Sequence, residues 1–150
     1  GKCGLDEVIK QTRDYIQQES NDEYKLIIGT DSQSKEKETL FVTAMIIQRV
    51  GSGAIFFYTK HRHKRMVQDL RYRIYRETEY SLDFVNQLRE KGFFGFSANI
   101  PMEIHLDVGQ KGETRKLIQE VVGWVTAVGY TAKIKPESFA ASAVADRYTK

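Results

Sequence analysis

The chemistry available to this sequence is concentrated in a few acids whose neighbours constrain where they sit. In Leu26-Ile27-Ile28-Gly29-Thr30-Asp31-Ser32-Gln33 an apolar run suited to a buried strand stops on Gly-Thr, and a carboxylate follows at once. A strand buried up to its tip is a rigid mount for a metal-binding Asp. The plainer alternative is a strand ending in a polar turn, where Asp and Ser are ordinary residues. Met102-Glu103-Ile104-His105-Leu106-Asp107, followed by Val108-Gly109, closes in the same way. Its competitor is an Asp that caps the helix beginning a few residues later.

A third acid is set on a helix. At about 100° per residue, Leu70, Ile74, Ser81, Phe84, Val85 and Leu88 form one stripe. Glu77 falls in the middle of it, and Glu79 points to the opposite face. A carboxylate in such a stripe is costly to bury unless it is paired or holds a metal. Arg73, one turn earlier, is the available partner, in the less favourable order for an i,i+4 ion pair. The fourth acid is Asp146, on one helical face with Phe139, Ser142 and Ala143; Glu137, directly after the last predicted strand, competes with it. Converging acids suit Mg²⁺ or Mn²⁺, hard cations that take oxygen ligands. Two such ions about 4 Å apart can activate a water and stabilise the leaving oxygen of a phosphodiester.

The bases are concentrated too. Between Lys60 and Arg76 seven Lys or Arg (Lys60, Arg62, Lys64, Arg65, Arg71, Arg73, Arg76) face a single acid, Asp69, so the rest of a chain of net charge +3 is acidic. Such a patch favours a polyanionic partner, with Lys60, Arg62, Lys64 and Arg65 as candidates to hold the phosphates of a nucleic acid. A solvated loop and helix start would carry the same charges. Other signals are thinner. His61-x-His63 lacks the further ligands of a zinc site. His105 shares a face with Asp107 and is either a proton carrier or a core histidine with a partner. Asp107-x-Gly109 with Thr114 is similar to the phosphate loop of actin-like sugar kinases, but a helix follows it here instead of a hairpin strand. There is no Walker loop, Ser-His-Asp pattern or Cys placed for nucleophilic attack.

The elements that must position these groups follow from periodicity and punctuation. Residues 5–18 read as an amphipathic helix, 24–30 as a first strand, 39–50 as a second and 54–59 as a third after the Gly51-Ser52-Gly53 reversal. A long helix is expected over 66–91 and a loop over 92–100. A fourth strand at 102–107, a helix at 114–128, a fifth strand at 130–135 and a last helix from Pro136 to about Tyr148 complete the chain. Three strands joined by short turns form an antiparallel meander, and strands reached through helices lie parallel by right-handed crossovers. The expected fold is therefore α/β with a mixed sheet: a meander, then α-β-α-β-α, with an extra N-terminal helix. That order matches the ribonuclease H-like fold. It makes the first and fourth strands neighbours about 4.8 Å apart, with Asp31 and Asp107 at the same ends.

Composition bounds the rest. A chain of 150 residues is read as one domain, 1–150, with 1–20 as a helical extension, and can bury roughly two-thirds of its unfolded surface. A mean hydropathy of -0.48 and no apolar run near the ~20 residues of a membrane span argue against an integral membrane protein. The first 30 residues lack the apolar core of a signal peptide. Cys3 is the single cysteine, so no disulfide forms within the chain and a reducing cytoplasm is expected.

Ile28-Gly29-Thr30-Asp31-Ser32-Gln33, the helix with Arg76-Glu77 and Ser81-Leu82, His105-Leu106-Asp107-Val108-Gly109, and Lys135-Pro136-Glu137-Ser138 with Ala145-Asp146 together resemble the YkuK-like family of bacterial proteins, in the ribonuclease H-like superfamily. The resemblance spans about residues 24–148. It implies the superfamily's arrangement of an Asp on strand one, an acid on the first core helix, an Asp on strand four and a late acid, here Asp31, Glu77, Asp107 and Asp146. Ribonuclease H has Gly where this chain has Ser32, and its last Asp follows strand five closely. Asp146 on a helix is closer to Holliday-junction resolvases and transposases. Two functions of different class follow. One is a metal-dependent nuclease acting on RNA, DNA or a hybrid. The other is a catalytically silent module of the same fold that binds nucleic acid or a protein. An actin-like phosphotransferase is a third reading. Specific uptake of divalent ions at the acids separates the first from the second.

Overall fold

The computed structural model describes residues 4–97, 99–110, 112–135 and 137–138. Helix α1 (Leu5–Gln18) carries Asp6 and Glu7 in its first turn, where carboxylates meet unbonded N–H groups, and buries Val8, Ile9 and Thr12. The Tyr24 hydroxyl donates to Glu19 O at 2.8 Å and ties the end of this helix to β1 (Tyr24–Lys35). Strands β2 (Glu38–Arg49) and β3 (Gly53–His63) follow. Gly51, at φ +82°, sits in their reversal, a conformation that a residue with a Cβ seldom adopts. Helix α2 (Leu70–Glu90) is capped by Asp69, whose carboxylate accepts from the Arg71 and Tyr72 N–H groups. A short helix α3 (Phe93–Phe96), β4 (Met102–His105), a 3-10 turn (Glu113–Leu117), α4 (Ile118–Ala127) and β5 (Thr131–Lys133) complete the described elements.

The sheet runs β3-β2-β1-β4-β5, with β1, β2 and β3 antiparallel and β1, β4 and β5 parallel. This is the mixed α/β sheet expected, with β4 beside β1. Helix α2 lies against β1 and closes the main core: Leu26, Ile28, Met45, Ile47 and Ile104 from the sheet meet Ile74, Val85 and Leu88 from α2 and Val121 and Val125 from α4. Each fully buried side chain of this type contributes roughly 1.5–3 kcal/mol. A second, small cluster of Ile27 and Ile46 occupies the other face of the sheet. No described helix is long and apolar enough to cross a membrane.

Several expected boundaries differ, each for a physical reason. Strand β1 does not stop at Thr30 but runs through Asp31 to Lys35, because its hairpin with β2 continues after the shorter β4 has ended. Strand β3 extends through His63, so Lys60 and Arg62 belong to an edge strand rather than a loop. Helix α2 begins at Leu70, where Asp69 satisfies its first N–H groups, not at residue 66. The 92–100 stretch contains α3, and the 114–128 helix begins as a 3-10 turn. The final helix expected to Tyr148, and Asp146 with it, lies outside the described residues; Glu137 and Ser138 form part of a turn.

Candidate metal centre

The β1–β4 ladder ends on the pair Gly29 and His105, and β4 stops there, short of the expected strand end at 107. Asp31 lies two residues further along β1 and Asp107 two residues past the end of β4, which brings the two acids to the same end of the sheet. Asp31 itself still pairs with Val42 of β2, which holds its backbone in place. Opposite them, α2 delivers Glu77 on its buried stripe, 5% exposed, while the Glu79 side chain is 43% exposed and paired with Arg76. One carboxylate oxygen from each of Asp31, Glu77 and Asp107 lies within 4.8 Å of the others. Asp146, the fourth expected member, lies outside the described residues.

Burial pushes the Glu77 carboxyl well above the usual carboxylate range, and the charges of Asp107 and Asp31 act in the same direction. A hydrogen bond from Ser32 and the positive charge of Arg73 pull it back. The Ser32 hydroxyl donates to Glu77 Oε2, whereas Glu77 Oε1 is buried with no hydrogen-bond partner among the described residues. Such an oxygen costs on the order of 1–3 kcal/mol unless something else satisfies it. Asp31 Oδ1 accepts from the Ser32 N–H at 2.9 Å. On the open side Lys135 Nζ meets Asp107 Oδ1 at 2.7 Å. Its pKa is raised first by that hydrogen bond and then by the charges of Asp107, Asp31 and Glu77. An all-oxygen donor set, in which one buried carboxylate oxygen has no hydrogen-bond partner among the described residues, fits a hard divalent cation.

A model of the family described as Ribonuclease H-like matches residues 7–150. The chain belongs to that family. It is 36% identical over 154 residues to the uncharacterised protein YkuK of Bacillus subtilis (strain 168), an alignment covering 96% of this chain and 90% of the relative. No solved structure matches.

Within this ribonuclease H-like frame, three residues around the acids carry roles that the sequence pattern does not mark. Ser32, along the chain only a departure from glycine, is the hinge of the site. Its hydroxyl accepts from Arg73 Nε at 3.1 Å while donating to Glu77, and its carbonyl accepts from Arg73 Nη2 at 2.8 Å. Helical spacing offers Arg73 as a direct partner of Glu77; its hydrogen bonds go to Ser32 instead, and it reaches Glu77 by its charge and through the shared hydroxyl. The alternation of Thr30 and Ser32 on β1 against Glu77 and Ser81 on α2 is the available signal. Thr30 Oγ1 meets Ser81 Oγ at 2.8 Å and Thr43 Oγ1 at 2.9 Å, so the buried hydroxyls next to the site satisfy one another. Lys135 falls in one of the stretches that carry the family resemblance, but its place beside Asp107 depends on the register of β5.

The other candidates are distributed differently. Asp31, Val42 and Lys60 occupy one row across β1, β2 and β3, and Arg62 falls in the next row but one along β3. Arg62 pairs with Glu38 at 2.8 Å, and Lys60 Nζ stands 5.8 Å from the Tyr58 ring centroid. Lys64 and Arg65 are exposed in the bend after β3. His61 stacks on Tyr80 and His63 Nε2 shares a hydrogen bond with the Tyr80 hydroxyl at 2.9 Å, which gives both rings structural partners. His105 Nε2 is engaged by Glu103, itself paired with Lys25. Thr114 Oγ1 accepts from the Gly109 N–H at 3.2 Å, a bond internal to its loop.

Proposed function

We propose that this protein is a divalent-metal-dependent nuclease hydrolysing phosphodiester bonds of nucleic acid, with Asp31, Glu77 and Asp107 as its oxygen donors. The observation that carries the reading is the convergence of three carboxylates from three separate elements, one of them buried with an orphaned oxygen. Asp146 is the fourth proposed donor on the sequence pattern alone. Bound there, Mg²⁺ or Mn²⁺ in a two-ion arrangement would supply charge stabilisation at the phosphodiester and a more acidic water. The chain's own residues do the positioning. Two parallel strands fix Asp31 and Asp107, Ser32 orients Glu77, and Arg73 clamps Ser32 from the helix side. Lys60, Arg62, Lys64 and Arg65 are the proposed contacts to backbone phosphates, which would make binding strongly salt-dependent. The reducing cytoplasm is the proposed location.

One observation favours the second reading, a silent ribonuclease H-like binding module: Lys135 already neutralises part of the cluster. The two separate on Asp31→Asn, which keeps the shape of the side chain and removes a central charge. Cleavage of labelled RNA, DNA and hybrid substrates with Mn²⁺ should fall on the order of a thousandfold, about 4 kcal/mol of lost transition-state stabilisation. Circular dichroism of the variant should match wild type. Cleavage by Asp31→Asn at the wild-type rate, in a preparation free of contaminating nuclease, sinks the nuclease reading.

A further inference from the structure

We propose that Lys135 is a built-in counter-cation of the acid cluster, seated on Asp107 in the metal-free protein and displaced when a divalent ion enters. The inference rests on the reading of Asp31, Glu77 and Asp107 as metal ligands. Two cations flank these acids, and they are held in contrasting ways. Arg73 approaches from α2 and is fastened by two hydrogen bonds to Ser32, one to the backbone carbonyl, so it stays where it is. Lys135 approaches from the open side and is held at its charged end by Asp107, at 2.7 Å, with its side chain 56% exposed. A half-exposed ion pair of this kind contributes about 0–1 kcal/mol, so releasing the ammonium to water costs little.

The position of Lys135 is built into the fold. β4 and β5 pair His105 with Lys133, and two residues on the same register sets Lys135 beside Asp107. The Lys135 N–H donates to Val108 O at 2.9 Å and fixes the backbone there. Gly109 leaves the room this needs, since a Cβ at that position would stand 3.3 Å from Lys135 Cβ. Lys133, at the end of β5, is turned away to Glu137 at 3.4 Å. Of these two lysines it is Lys135 whose ammonium reaches the acids. It occupies one of the two oxygens of Asp107, a member of the acid cluster, and two cations confined to so small a space repel each other. The lysine stem is flexible and its charge compact, which suits a group that must hold a place and then leave it.

The test is calorimetric titration of Mn²⁺ into wild-type protein, Lys135→Met and Lys135→Arg at low ionic strength. Lys135→Met should bind Mn²⁺ about tenfold more tightly than wild type, because one repelling charge is gone. Lys135→Arg, which keeps the charge, should stay near wild type. Equal or weaker binding by Lys135→Met overturns the inference while leaving the metal centre in place; weaker binding would make Lys135 a prop for Asp107. No Mn²⁺ uptake by any of the three proteins overturns the metal centre and the inference together.

Discussion

Among the described residues three carboxylates are gathered around Asp31, one of them buried with an oxygen that has no hydrogen-bond partner, whereas between Lys60 and Arg76 four of the seven bases are hydrogen-bonded or ion-paired to other side chains or backbone. Arg62 is paired with Glu38, Arg71 with Glu120, Arg76 with Glu79, and Arg73 is bonded to Ser32. Both regions concentrate one sign of charge, and each leaves a buried polar atom over, Glu77 Oε1 among the acids and Arg76 Nε among the bases. The charge of Arg76 is nonetheless answered by Glu79 in an ion pair, while among the described residues Glu77 has a hydroxyl, two further acids and, at one remove, the charge of Arg73, whose hydrogen bonds go to Ser32. A base paired near the surface has an ordinary structural explanation. A carboxylate drawn into the core against its own desolvation does not, unless something binds it. The difference ranks the two halves of the proposed site: the acids carry the stronger claim. Within the basic window Lys60, Lys64 and Arg65 carry more than Arg62, whose charge is shared with Glu38.

The largest effect expected within this comparison is at Glu77. Glutamine there keeps an oxygen for the Ser32 hydroxyl and removes the charge. Mn²⁺ affinity should drop by at least about tenfold, while the metal-free protein should gain on the order of 1 kcal/mol, about 3 °C in melting temperature, from relief of burial and repulsion. Glu79→Gln should be near neutral on both measurements, as exposed substitutions usually are. Thermal melts in chelator and in Mn²⁺ read both. If Glu77→Gln binds metal like wild type, the orphaned oxygen is not a ligand and the contrast between the two regions collapses.

A smaller effect sharpens the basic side. Replacing Lys60, Lys64 and Arg65 with glutamine should weaken nucleic-acid binding and flatten its salt dependence by about one unit of slope for each phosphate no longer neutralised. Arg62→Gln should change the slope less, because Glu38 already shares its charge. Filter binding across a salt series measures this, with Mn²⁺ uptake expected to be unaffected. Unchanged slopes would mark the whole window as a solvated face.

The smallest effect concerns the two histidines at the end of β3. Desolvation first, and then the charge of Arg76, hold the His61 and His63 rings below the ordinary histidine value of 6.5. Between those lowered values and 6.5 the unfolded chain binds more protons than the folded one, so stability should fall as pH drops through that window. Urea unfolding at about pH 7.5 and about pH 5.5, compared with a variant carrying His61→Phe and His63→Gln, should show a modest acid loss in wild type and less in the variant. An equal loss in both would mean that the rings titrate as free histidines.

Local pattern makes much of the site legible. The apolar run ending at Thr30-Asp31, its twin ending at Leu106-Asp107, and the stripe that turns Glu77 inward each depend on periods of two or 3.6 residues within one element. The order of elements then implies the β1–β4 neighbourhood, because a strand that follows a crossover helix must lie parallel to a partner. Element ends are less legible, since they depend on neighbours: β1 outlasts β4, and β3 runs on into the basic residues because β2 is there to pair with it.

By itself, then, the chain determined that Glu77 lies on the buried stripe of its helix and that Asp31 and Asp107 follow the apolar runs of two strands, because burial follows from the spacing of side chains along a single strand or helix. Only the tertiary structure decided how those acids are neutralised. Ser32 stands between Arg73 and Glu77, 41 and 45 residues away in sequence, and Lys135 reaches Asp107 through a ladder register. Charge acts through space over a few ångströms, and no pattern along the chain records which distant side chain will arrive there.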